Sequence, residues 1–217
     1  MKKICLGLGI AMLLSGCNIT KTYEKAANAL AFSSDGNQVA DPQFTLFRQN
    51  KGSSNVWIRL IEKGQGLGDS GSSGSTAFGE DGCVRLRFLD ATDDFTSQPG
   101  VMQKIQNLQL NTNYKLSLYY SDKKGSESST QLVFGVNDLS GKSIATKSVH
   151  VSELQTAPQS PTSNHFRQTF VSFNSGSNSE VSIYAKLKIT DVSIIDMEYD
   201  IGSQTEVRVD DVSLTKE

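Results

Sequence analysis

The chain has 217 residues, with 21 lysines and arginines, 23 aspartates and glutamates and two histidines, for a formal charge of −2 at pH 7. A balance on the acidic side argues against broad binding of nucleic acid or of an anionic membrane surface, either of which needs a basic face. Two histidines and three cysteines, none grouped at metal-ligand spacing, exclude a Cys/His zinc site.

In chain order, Met1, Lys2 and Lys3 are followed by an apolar run over residues 4–14 and then by small residues before Cys17. This is the order of a secretory signal. A run of about ten apolar residues is half of the roughly 20 that a bilayer-spanning helix needs. Residues 1–16 therefore read as a signal peptide and not as a transmembrane helix. The tetrapeptide Leu14-Ser15-Gly16-Cys17 resembles the lipobox of bacterial lipoproteins. That resemblance implies cleavage before Cys17 and acylation of its thiol and new amino group. The result is a lasting membrane anchor, each buried methylene contributing about 0.8 kcal/mol. Asn18 stands where inner-membrane lipoproteins of enteric bacteria carry Asp, so the likeness implies the outer membrane.

Loss of Lys2 and Lys3 leaves 19 basic residues against 23 acidic ones, a formal −4. With Cys5 in the signal and Cys17 acylated, Cys83 has no partner for an intramolecular disulfide and is expected to be a buried structural thiol. Residues 17–40 read as a lipidated tether with one weak helical stretch over 23–32 and a turn-forming run, Ser33-Ser34-Asp35-Gly36-Asn37. The folded domain is expected over residues 41–217.

Within that domain the dominant period is two. Val84, Leu86 and Phe88 alternate with Arg85 and Arg87; Leu116, Leu118 and Tyr120 with Lys115, Ser117 and Tyr119; Val181, Ile183, Ala185 and Leu187 with Ser182, Tyr184, Lys186 and Lys188. Half-buried strands give this pattern. Further strands are expected over 43–48, 56–61, 101–106, 131–136, 143–149, 167–173, 192–199 and 206–214. About ten strands with no long amphipathic helix imply an all-β fold, an antiparallel β-sandwich. The connection over 63–82 is rich in Gly and Ser and reads as a flexible loop; 159–163 is a second loop.

Three stretches together resemble the galactose-binding-like jelly roll of bacterial carbohydrate-binding modules. The first runs from Pro99-Gly100-Val101-Met102-Gln103-Lys104-Ile105 to Tyr114-Lys115-Leu116-Ser117-Leu118-Tyr119. The second is Phe170-Val171-Ser172-Phe173-Asn174-Ser175-Gly176, followed by Val181-Ser182-Ile183-Tyr184-Ala185. The third is Val207-Arg208-Val209-Asp210-Asp211-Val212-Ser213-Leu214. With Phe134-Gly135-Val136, the last two are most similar to modules appended to alginate lyases, which implies an acidic polysaccharide ligand. In many such modules the first Asp of the closing motif helps to hold a structural calcium, a role that would fall to Asp210. Residues 43–50 depart from the pattern in offering no second acid, and Asp41 is the nearest candidate.

An acidic glycan presents carboxylates, which arginine grips in a fork, and sugar faces, which pack on aromatic rings. Arg85 and Arg87, two residues apart on one strand face, are the best anion-reading pair. Lys115 and Tyr119 share another face, and Tyr184, Lys186 and Lys188 a third. Trp57, the only tryptophan, stands beside Arg59. If the aliphatic face of Val56, Ile58 and Leu60 is the core, Trp57 is exposed as a sugar platform; the other reading places it in the core. Three function classes remain: a non-catalytic, lipid-anchored polysaccharide-binding protein, a structural or assembly lipoprotein with an envelope protein partner, and a polysaccharide lyase. The third is least favoured, because no Gly-x-Ser-x-Gly elbow, His-Glu-x-x-His or phosphate loop occurs.

Overall fold

The computed structural model describes residues 36–61, 64–79, 82–163 and 165–217. The signal, the Cys17 lipidation site and most of the tether lie outside the described residues. The elements are α1 (Thr45–Gln49), β1 (Ile58–Arg59), β2 (Asp69–Ser73), β3 (Cys83–Arg87), β4 (Gly100–Ile105), β5 (Asn113–Asp122), β6 (Thr130–Asn137), β7 (Ser143–Val149), β8 (Arg167–Asn174), β9 (Val181–Ile189), α2 (Ile201–Thr205) and β10 (Val207–Lys216).

The strands form two five-stranded sheets that pack as a jelly-roll sandwich. The first has the order β1-β4-β9-β6-β7 and the second β2-β3-β10-β5-β8, with every neighbouring pair antiparallel. The alternation in the sequence supplies the two inner faces. Val101, Phe134, Val136, Ile183 and Leu187 point inward from the first sheet, and Val84, Leu86, Leu116, Leu118, Val209 and Leu214 from the second. Burial of each such side chain contributes about 1.5–3 kcal/mol, so these alternating positions supply most of the driving force.

The closing strand keeps its apolar residues inward through a device that simple alternation does not contain. Asp211 has a left-handed φ of 47°, and the pairing of β10 with β5 shifts between Asp210 and Ser213. This bulge absorbs one residue. Val207 and Val209 before it and Val212 and Leu214 after it therefore all reach the core.

Three segments depart from the sequence reading. Residues 43–48, expected as a strand, overlap α1, because both carboxylate oxygens of Asp41 accept N–H groups of that turn, from Leu46 (3.0 Å) and Phe47 (3.1 Å). Residues 192–199, also expected as a strand, form a short 3-10 turn and loop. Asp191 caps the N–H of Ser193 there, and only Ile195 of the turn's apolar residues is buried. The supposed loop 63–82 contains β2, which pairs with β3 along its whole length.

The packed chain also starts before Asp41. Val39 is buried, the Gln38 N–H donates to the Leu214 carbonyl (2.9 Å), and the Asn37 side chain accepts the Leu214 N–H. Gln103 on β4 holds this lead-in by exchanging two hydrogen bonds of 2.8 Å with the backbone of Ala40. Cys83 is fully buried, as expected, and its thiol donates to the Ser75 carbonyl.

Candidate functional site

A basic concavity lies at the β2 edge of the second sheet. Strand register places Asp69 of β2 beside Arg87 of β3, and Gly71 beside Arg85. Directly opposed residues share a face, so both arginines and Asp69 stand on the outer surface. One oxygen of Asp69 lies 3.7 Å from Nη2 of Arg85 and 3.9 Å from Nε of Arg87. Three further cations approach from outside the sheet. Arg48, in the last turn of α1, runs over Gly74 and Gly82, where a side chain would collide with it. Arg59 of β1 donates to the carbonyl of Gly52 and, at 3.0 Å, to that of Lys51, which fixes the loop carrying Lys51.

The result is a cleft of about 380 Å³ lined by Arg48, Lys51, Arg59 and Arg85, with Asp69, Gly71 and Ser72. Four basic groups face one acid in a chain whose overall charge is negative, which concentrates a positive field at this one place. The Arg85 side chain is 26% exposed, with Nη2 the end that lies near Asp69. The cleft is thus suited to receive a carboxylate, sulfate or phosphate group.

Of the residues expected to bind ligand, only Arg85 lies in this cleft. Arg87, expected to work as its pair, is turned to structural use. Its Nη1 is 3.7 Å from Glu206, which Arg208 also holds through two bonds of 2.8 and 2.5 Å. A chain of alternating charge therefore runs Arg208, Glu206, Arg87, Asp69, Arg85 across the outer face.

Trp57 is not a platform. It is 2 % exposed, packs with its ring tilted 4.6 Å from that of Phe44 and donates from Nε1 to the Asp41 carbonyl at 2.9 Å. The alternation in residues 56–60 is inverted, with Ile58 at 51 % exposure, because β1 pairs for only two residues and the preceding turn directs Trp57 inward.

Tyr119 is also covered. The loop after β2 folds back over the outer face of β5 and β10, so that Phe78 meets Tyr119 edge-on at 4.9 Å, in a satellite core with Ala77 and Phe166. Ser160 and Thr162 both donate to the Ala77 carbonyl and fasten that loop. Lys115, on β5, lies toward the opposite side of the second sheet from the cleft, 4.5 Å above the ring of Phe170 on the edge strand β8. Tyr184, on the first sheet, is nearly covered and bonds to Thr146 at 2.7 Å across Gly135.

The calcium reading assigns a ligand role to Asp210. Its carboxylate is fully buried and accepts the N–H groups of Ala77 (2.7 Å) and Asp211 (2.9 Å). The second candidate, Asp41, has its carboxylate committed to the N–H groups of α1. Among the described residues no group of three acidic, His or Cys side chains converges. These residues do not fit a calcium site; Asp210 is the latch of the covering loop. Burial raises the Asp41 carboxyl to about 6 and the Cys83 thiol to about 12.

The residues that sequence reasoning missed are Arg48 and Lys51, with Arg59 noted only as a neighbour of Trp57. Nothing in their spacing points to a shared site, since a helix, a loop and a two-residue strand bring them together.

No family model matches the chain, and no curated protein does. Among solved structures, the chain is similar to the enzymatically active domain of tailspike protein 4 of bacteriophage CBA120, with a TM-score of 0.52 and 9% identity, covering 83% of this chain and 21% of that one. It is similar to the arabinose-bound MgGH51 α-L-arabinofuranosidase, with a TM-score of 0.50 and 12% identity, covering 84% and 26%. TmCBM61 in complex with beta-1,4-galactotriose has a TM-score of 0.48 and 11% identity, covering 83% and 99%. The chain thus spans about a quarter or less of the first two structures. Likeness at these identities concerns the fold alone, an antiparallel jelly-roll sandwich.

Proposed function

We propose that the protein is a non-catalytic polysaccharide-binding lipoprotein, held at the outer membrane by acyl chains on Cys17, and that it binds an acidic glycan in the cleft of Arg48, Lys51, Arg59 and Arg85. The observation that carries this reading is the convergence of four basic side chains on one concavity. Arginine and lysine at a partly desolvated surface grip carboxylates by charge-assisted hydrogen bonds. The sugar-binding reading draws on the jelly-roll-module motifs in the sequence, and the anchor on the lipobox-like residues 14–17.

Affinity electrophoresis of the purified full chain against alginate, pectin and a neutral glucan tests the binding. Retardation by the acidic polymers, weakened by salt and by Arg85→Ala, is expected. Equal migration in all three gels would overturn it. For the anchor, metabolic labelling with a radioactive fatty acid should mark the protein and be abolished by Cys17→Ala.

A second reading, a structural or assembly lipoprotein docking an envelope protein, draws on the loop that carries Val192, Ile194 and Tyr199, all exposed. In-cell cross-linking from position 199 that traps one partner would favour it.

A further inference from the structure

Lys115 stands well apart from the cleft, in a setting of its own. On the outer face of the second sheet, Phe170 of β8 lies directly opposite Ser117 of β5, and Lys115 of β5 lies opposite Ser172. The neighbours of the ring are small. Ser117 bonds to Ser213 of β10 at 2.7 Å, and Ser172 donates to the Glu217 carboxylate at 2.9 Å. Phe170 rises from this low floor and stays 48% exposed, the only exposed large apolar side chain on the second sheet among the described residues.

Two ammonium groups converge on that ring. Nζ of Lys115 lies 4.5 Å from its centroid, and Nζ of Lys147 lies 5.5 Å from it. Lys147 comes from the other sheet. It sits on the edge strand β7, in register with the buried Phe134 of β6, so its stem starts on the inner side and carries the charge out past β8. There Nζ donates to the Phe170 carbonyl at 3.3 Å. Among the described residues neither lysine pairs with a carboxylate. A cation over an exposed ring is held weakly, so an arriving anion draws it away at little cost. A protein-docking surface is a contiguous apolar patch several side chains wide. One ring among hydroxyls and ammonium groups matches instead the C–H face of a single sugar that carries an acid.

We propose that Phe170, Lys115 and Lys147 form a second contact for the acidic glycan, with the ring against a sugar face and the two ammonium groups on its carboxylate or sulfate. This rests on the acidic-glycan reading of the cleft and extends it. The cleft is at the β2 edge and Phe170 at the β8 edge of one sheet, four strand spacings or roughly 19 Å apart. A long polymer reaches both contacts, whereas a short oligomer fills one. Linkage between the two then strengthens binding of the polymer beyond that of either contact alone.

Isothermal titration of the purified full chain tests this, with whichever of alginate and pectin the wild type binds and with the trisaccharide of the same sugar as probes. Phe170→Leu keeps an apolar side chain without a ring, and Lys115→Gln combined with Lys147→Gln removes both charges. Each is expected to weaken the polymer about tenfold and the trisaccharide far less. Phe170→Tyr should bind like the wild type, and the exposed position should leave the melting temperature of Phe170→Leu unchanged. In an Arg85→Ala background, Phe170→Leu should abolish the residual binding of the polymer.

If the Phe170 and lysine variants bind the polymer as the wild type does while Arg85→Ala weakens it, the second contact falls and the cleft stands. Equal weakening of trisaccharide and polymer would overturn the division into two contacts. If the wild type binds neither polymer, the acidic-glycan reading itself falls, and this inference with it.

Discussion

Gly71 on β2 stands directly opposite Arg85 on β3, and the guanidinium of Arg85 occupies the space that a side chain at 71 would take. A Cβ there would lie 3.2 Å from Nη2 of Arg85 and 3.2 Å from the Asp69 carboxylate. The glycine thus determines where the cation points. Gly71→Val should displace Arg85 and weaken acidic-glycan binding about tenfold. Its effect on stability should stay within about 1 kcal/mol, because a β-branched residue suits an edge strand. Titration calorimetry and a urea melt on the same variant measure the two effects. Unchanged affinity would show that the position of Arg85 is immaterial.

Arg85 and Arg87 should separate cleanly on substitution. Arg87→Ala removes the link between Glu206 and Asp69 but leaves Glu206 its contacts with Arg208. The Arg87 side chain retains 23% exposure, so the cost should be about 1–2 kcal/mol, below the 3–5 kcal/mol of a fully buried pair. Glycan affinity should be unaltered. Arg85→Ala should do the reverse, weakening binding about tenfold or more at little cost in stability. Equal weakening of binding in both variants would restore the two arginines as one functional pair.

The contrast between these arginines marks how far the sequence could be read. Period-two alternation exposes β3, β5 and β9, because one face of each is apolar and the other polar. It is silent on β2, whose Asp-Ser-Gly-Ser-Ser run has no apolar face. It also misreads α1, a single turn set by the carboxylate of Asp41 several residues upstream. Alternation correctly sends Arg85, Arg87 and Tyr119 outward. What later covers an outward face is a tertiary matter: the latched loop buries Tyr119, and Glu206 claims Arg87. Arg48, Lys51 and Arg59 sit on three elements with no common period, so their convergence is visible only once the chain is folded.

Stability should be highest near the ordinary carboxylate range and decline above it. Burial raises the Asp41 carboxyl to about 6 against the lowering pull of the Leu46, Phe47 and Thr45 N–H groups, and burial raises Asp122 as well. A raised folded-state value means that the native protein binds the extra proton. The associated stability is fully present below the unfolded carboxyl value, about 4, and is lost as pH rises through about 6. Asp90, Asp94, Asp138, Asp191 and Asp200 act oppositely. Hydrogen bonds lower them, so their contribution is present above about pH 4 and lost as pH falls below it. Urea melts followed by Trp57 fluorescence, a single buried reporter, should show a decline between pH 4 and 6 that Asp41→Asn partly flattens. A variant with an unaltered slope would remove Asp41 as the source.

Asp210 and Cys83 provide a direct test of the latched loop. The Cys83 thiol is fully buried and raised to about 12 by that burial, with the neighbouring Asp210 charge adding to the effect. At pH 8 it should resist a disulfide reagent such as Ellman's, since the thiolate is the reactive species and access is closed. Asp210 holds the covering loop through the Ala77 N–H, and the Cys83 thiol itself reaches the Ser75 carbonyl in the same loop. Asp210→Ala should therefore speed Cys83 labelling by about tenfold or more while the sandwich remains folded by circular dichroism, the opening of a local segment costing less than global unfolding. A calcium chelator should leave the wild-type labelling rate unchanged, because the Asp210 carboxylate is satisfied by N–H donors. Faster labelling on chelation would instead return Asp210 to the role of a metal ligand, and the loop would then be held by a cation.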